Sequence, residues 1–144
     1  MNKINKLLDE YQVPQVVKVK QFFNKDIVEN IEDELMTELN SKNIHIQSGH
    51  RIAITCGSRG LDHYVTLLRT IVKFVKSKGA YPFLVPAMGS HGGATAEGQK
   101  ELLAHYGITP ENIGAPVISS MEVKQLGVTD KGLGVYIDKN ACEA

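Results

Sequence analysis

Twice in this chain a short, apolar, β-branched run breaks at a glycine-containing loop and gives way to an amphipathic segment. The first unit is RIAITC (Arg51–Cys56), the loop GSRG (Gly57–Gly60), then Leu61 to Lys78. In that last stretch Tyr64, Leu67, Leu68, Ile71, Val72 and Val75 recur near the 3.6-residue period of a helix. The second unit is AYPFLVPA (Ala80–Ala87), the loop MGSHGGAT (Met88–Thr95), then Ala96 to Tyr106 with Leu102, Leu103 and Tyr106 inward. Gly79 sits where a left-handed residue ends the first helix, and Gly107 with Pro110 stops the second. Buried strands alternating with helices across short connections imply right-handed crossovers and a mostly parallel sheet. The expected class is therefore α/β: a Rossmann-like, mostly parallel sheet with helices on both faces.

The flanks add smaller elements. Pro14 to Phe23 (PQVVKVKQFF) partly alternates, Val17 and Val19 against Lys18 and Lys20, and predicts a half-buried edge strand. Asp26 to Leu39 predicts a helix with Val28, Ile31, Leu35 and Leu39 inward, Asp26 as cap and Glu29 at the capping-box position. Pro116 to Ser119, Glu122 to Leu126 and Leu133 to Ile137 predict a C-terminal β meander, turning at Gly127 and at Lys131-Gly132. The last residues, VYIDKNACEA, read as the start of a helix capped by Asp138, with no stop signal. We take residues 1–144 as one α/β domain and as the N-terminal piece of a larger two-domain enzyme. The alternative for this end is a short solvated turn.

Composition narrows the function classes. A chain of 144 residues, 42% hydrophobic and 22% charged, is long and apolar enough for its own core. Lys plus Arg equals Asp plus Glu at 16 each, without the basic excess of a nucleic-acid binder. Cys56 and Cys142 are too few and too far apart for a disulfide framework or a Cys-x-x-Cys metal site. Free thiols suit the cytoplasm. The first residues, MNKINKLLDEYQVP, lack the apolar core of a signal peptide, and no run approaches a membrane span.

Two loops carry the candidate chemistry, because in open α/β sheets ligands bind beyond the C-terminal ends of the strands. In the first, Gly57 and Gly60 let backbone approach a ligand, Ser58 offers a hydroxyl, and Arg59 offers a planar fork for carboxylate or phosphate. In the second, Gly89, Gly92 and Gly93 imply strained backbone or close approach to something, and the run Gly89-Ser90-His91-Gly92-Gly93 can form an anion nest at a helix N-terminus. His91 is the acid–base candidate, since an unperturbed imidazole titrates at ~6.5. His45 and His50 read as solvated, His63 as a surface or supporting residue, His105 as structural and Cys56 as a buried inert thiol.

A strand ending in a Ser-Arg loop, a helix, then a strand ending in Gly-x-His resembles the N-terminal domain of the nickel-pincer lactate racemase family. AMGSHGGATAEGQ is similar to its longer-loop branch, often described only as a domain of unknown function. The likeness runs from about Arg51 to Gly107. It implies a racemase or epimerase of a small 2-hydroxy acid, working by hydride abstraction and return on a nickel-pincer mononucleotide. It implies His91 as one of two acid–base histidines and Arg59, with Ser58, as the anion holder. The second histidine, the lysine tethering the cofactor and the nickel-binding histidine are expected beyond residue 144, so no metal ligand is expected within this chain and the isolated chain is expected to be inactive. Cys56 stands where the racemases carry an acidic residue, and Gly92 where they often carry Arg, which leaves the substrate open. Two readings from other classes stand beside this one. One is a non-catalytic phosphate- or nucleotide-binding module. The other, weaker because the two residues are adjacent, is a transferase using Ser90 with His91.

Overall fold

The computed structural model describes residues 14–24 and 26–144. The order is helix α1 (Ile31–Ser41), strand β1 (Arg51–Cys56), helix α2 (Tyr64–Ser77), strand β2 (Tyr81–Pro86) and a 3-10 turn (Gly92–Ala94). Helix α3 (Ala96–His105), the single-turn helix α4 (Pro110–Ile113), strands β3 (Val123–Val128) and β4 (Gly134–Asp138), and helix α5 (Lys139–Cys142) follow. The chain is thus mixed α/β. No helix among the described residues is long and apolar enough to cross a membrane. The signal-peptide reading rests on residues 1–13, outside the described set.

β1 and β2 pair in parallel, from Arg51 opposite Tyr81 to Cys56 opposite Pro86. Ile54 and Leu84 are partners in that register and so share a face. Against this face α2 sets Leu68 and Val72, α3 sets Leu103, the turn after it sets Ile108, and α4 sets Ile113, all in one buried cluster. A smaller cluster joins Phe74, Val75 and Ala80 to Met36 and Leu39 of α1. Glu32 and Lys73 form an ion pair between α1 and α2.

The helix ends follow from their local chemistry. After α2, Gly79 adopts φ +76, its N–H bonds the Lys76 carbonyl and the Ala80 N–H bonds that of Val75. Gly107 repeats this after α3, with Gly107 to Ala104 and Ile108 to Leu103. Both are Schellman motifs, each closed by an apolar contact between the residue after the glycine and the helix's last turn.

Several expectations are corrected. Residues 14–23 form no strand and are exposed throughout, Val16 at 91% and Phe23 at 73%. Alternation assigns side chains to faces, but a strand also needs a neighbouring edge to hydrogen-bond, and this segment has none. The first helix begins at Ile31 because Asn30, not Asp26, caps it, accepting from the Asp33 N–H at 3.2 Å. Pro110 starts a helix instead of ending one: Thr109 caps α4 and the proline occupies its first position, where a missing N–H costs nothing. The segment around Val117 leaves the meander and bridges Leu84 in parallel, through Leu84 N–H to the Pro116 carbonyl and Ile118 N–H to the Leu84 carbonyl, both 2.8 Å. Among the described residues the parallel sheet is thus two strands and one bridge, and the principal helices α2 and α3 share the core on the Leu84 face. The rest of the meander is the β3–β4 hairpin, and Asp138 caps α5 as expected, accepting from the Ala141 N–H at 3.0 Å.

Leu84 is fully buried where the parallel pair, the bridge and both helices meet. Leu84→Ala is expected to lower unfolding free energy by about 2–5 kcal/mol. Val17→Ala, at a site 81% exposed, is expected to change it by less than ~0.5 kcal/mol. Urea titration of the two variants checks the contrast.

Candidate functional site

Because β1 and β2 are parallel, their C-terminal ends coincide, and the Ala87 N–H donates to the Cys56 carbonyl at 2.7 Å to join the two loop origins. Beyond them lies a cleft of about 760 Å³. Its polar side is Gly57, Ser58, Arg59 and His91, with Thr55 beside them. The rest of its lining is largely aliphatic, including Ile54, Leu67, Leu68, Ile71 and Met88, with Leu35 contributed by α1.

The Arg59 loop is held by two tyrosines. The Tyr64 hydroxyl, in the first turn of α2, accepts from the Gly57 N–H at 2.9 Å. The Tyr106 hydroxyl, at the end of α3, donates to the Ser58 carbonyl at 3.0 Å. Periodicity places both rings inward and says nothing of where their hydroxyls end. An inward-facing tyrosine's tendency to find a polar partner for its hydroxyl was the only available signal. With the loop backbone so engaged, Arg59 makes no hydrogen bond or ion pair among the described residues and is exposed on the cleft wall.

The His91 loop is held by Gln99, a buried polar side chain of α3. Its Nε2 donates to the Gly89 carbonyl at 2.9 Å and to the His91 carbonyl at 3.3 Å. The glycine density has two visible causes. Gly89, Gly92 and Gly93 take φ of +59, +63 and +67. Gly92 also lies on the first turn of α3, where a Cβ would stand 2.5 Å from the Gln99 nitrogen, and a Cβ on Gly98 would collide with the Gly92 carbonyl. What these backbones approach closely is each other.

The loop amides are also partly spent on the loop itself. The Ala94 N–H bonds the Ser90 and His91 carbonyls, the Thr95 N–H bonds that of Gly92, and the Thr95 hydroxyl caps Gly98 at 3.0 Å. Of the expected site residues, the structure gathers Gly57, Ser58, Arg59 and His91 on one cleft. Gly89, Ser90, Gly92 and Gly93 lie outside its lining and shape the loop that carries His91. No Ser90–His91 side-chain hydrogen bond occurs among the described residues.

Cys56 is fully buried, and burial pushes its thiol up to about 11, partly offset by a hydrogen bond with Tyr64. Burial likewise raises the Tyr64 phenol. His45, His50, His63 and His105 are exposed, His63 beside Asp62 at 3.5 Å and His105 edge-on to Tyr106. No group of three His, Cys, Asp or Glu side chains among the described residues is placed to hold a metal ion. Comparison with protein-family models, curated proteins and solved structures finds no match to this chain.

Alanine at position 98 gains ~1 kcal/mol of helix propensity. Its methyl, however, meets the Gly92 carbonyl, so Gly98→Ala is expected to cost about 1–3 kcal/mol net in urea unfolding. Cys56 is expected to resist thiol reagents at pH 8 in the folded chain and to react once urea unfolds it. An acid whose folded value is raised opposes folding only where the unfolded thiol ionises. Stability therefore falls as pH rises from ~8.5 toward 11 and is unaffected by Cys56 below that window.

Proposed function

We propose that this cleft holds a small 2-hydroxy acid, and that the chain is the N-terminal cofactor- and substrate-binding domain of a cytoplasmic, lactate-racemase-like racemase or epimerase. The observation that supports this best is that Arg59 and His91, on loops leaving the same ends of two parallel strands, line one cleft. In this reading β1 and β2 belong to a Rossmann-like sheet, completed with the remainder of the same protein. Neither nucleic acid nor a membrane is a partner.

The roles follow from the residue chemistry. Arg59, without a partner among the described residues, pairs two of its N–H donors with the substrate carboxylate. His91 accepts the hydroxyl proton and returns it, which inverts the stereocentre when hydride comes back on the other face. The aliphatic side chains of the cleft give the rest of the acid an apolar contact. A nickel-pincer mononucleotide, when bound, supplies the hydride-accepting and hydride-donating ring. With Arg59 on the carboxylate and the Gly57 N–H already taken by Tyr64, Ser58 is the described residue suited to its phosphate. The tethering lysine, the nickel-binding histidine and the second acid–base histidine are placed by this proposal outside residues 1–144.

A second reading, a non-catalytic phosphate- or nucleotide-binding module, is favoured by the cleft's single imidazole. One experiment separates the two. The full-length protein, loaded with the cofactor, is mixed with single-enantiomer 2-hydroxy acids and optical purity is followed. Inversion of at least one acid is expected, slowed ~10²-fold or more by His91→Ala, with Arg59→Ala raising KM. No inversion across the panel overturns the racemase reading in favour of the binding module.

A further inference from the structure

The polar side of the cleft is small, yet the cleft is not. A volume of about 760 Å³ is in the ~300–1,000 Å³ range of pockets that bury drug-sized ligands, far more than a three-carbon acid fills. The aliphatic lining that the cleft shares with Arg59 comes from three elements: Ile54 of β1, Leu67, Leu68 and Ile71 of α2, and Leu35 of α1. None of these side chains offers a hydrogen bond, so a sugar or phosphate laid against them would lose its water without replacement. Leu67, Ile71 and Leu35 are only half-buried, whereas Leu68 one position on is 3% exposed in the core. Half-covered aliphatic groups in one cleft with a guanidinium that is unpaired among the described residues complement a molecule with an anionic head and an apolar body.

We propose that the ligand of this cleft is a carboxylate with an extended or branched apolar side chain, a 2-hydroxy acid larger than lactate. Its head lies at Arg59, and its chain runs along Leu67 and Ile71 toward α1. This proposal rests on the reading of the cleft as a 2-hydroxy-acid site and specifies which acids it takes. Each added methylene that leaves water contributes up to ~4-fold in affinity. With the wall only partly enclosing, about 2- to 4-fold per methylene is expected until the groove is filled.

The test measures binding of straight-chain 2-hydroxy acids from three to eight carbons to the 144-residue chain, by calorimetry and by shifts of the leucine, isoleucine and methionine methyl signals. Affinity is expected to climb with length. Arg59→Ala should weaken every member by a similar factor. Ile71→Asn should flatten the climb while leaving the three-carbon acid unchanged. Leu61→Ser, at a cleft position already 59% exposed, keeps the test open should Ile71→Asn fold poorly, and it too should reduce the slope. Affinity independent of length, with Arg59 still required, overturns the proposal and leaves the 2-hydroxy-acid reading standing. A climb with length, together with no inversion of any acid by the cofactor-loaded full-length protein, upholds the apolar-acid cleft and removes the racemase. No Arg59-dependent binding of any acid overturns both.

Discussion

The in-register parallel pairing of β1 with β2 is the interaction on which the rest depends. It aligns Cys56 with Pro86, so the two loops that follow start side by side and are tied by one 2.7 Å backbone hydrogen bond. An antiparallel pair would send those loops to opposite ends, and Arg59 and His91 would share nothing. The same register sets Ile54 beside Leu84, giving α2 and α3 one apolar surface to cover. Core and cleft are thus two consequences of a single pairing, one along the strands and one at their ends.

The cleft's polar side is held by two tyrosines that sequence periodicity counts as core and by a buried glutamine that it does not. Tyr64 and Tyr106 are anchored by their rings and spend their hydroxyls on the backbone of the Arg59 loop, while Gln99 spends its amide on the backbone of the His91 loop. An intramolecular hydrogen bond contributes roughly 0.5–1.5 kcal/mol net, so each of these bonds favours its loop position by about that amount. The loops are consequently set in place by α2 and α3, and the side chains that meet the cleft, Arg59 and His91, are left with little internal bonding of their own. Glycine plays a similar supporting part. The contact between Gly92 and Gly98 lets the loop sit on the helix at a separation no side chain allows.

The segments away from the cleft show what local preference cannot do alone. Residues 14–23 carry the composition and alternation of a strand, yet Val16, Val17 and Val19 stand more than 80% exposed. β3 and β4 do pair, because a turn at Lys131-Gly132 brings two such segments together, but Val123, Leu126, Val128 and Leu133 remain exposed on the hairpin. A hairpin satisfies hydrogen bonds along one edge of each strand, whereas burying a face requires a second layer.

Much of the framework was legible in the residues themselves. The apolar runs marked β1 and β2, the 3.6-residue spacing marked α2 and α3, and Gly79 and Gly107 marked their ends, because strand burial, helix faces and left-handed caps are each decided within a few residues. Asp138 as a cap and Gly57 to Arg59 as a loop were readable for the same reason. Tertiary structure alone decided the partner of the segment at Val117, the absence of a strand at 14–23, and the anchoring of the loops by Tyr64, Tyr106 and Gln99. It also decided that Gly92 serves contact with α3, and that aliphatic side chains line the same cleft as Arg59. Each of these depends on which distant edge, ring or helix turn arrives beside a residue, and that is a property of the packed chain, not of any stretch of it.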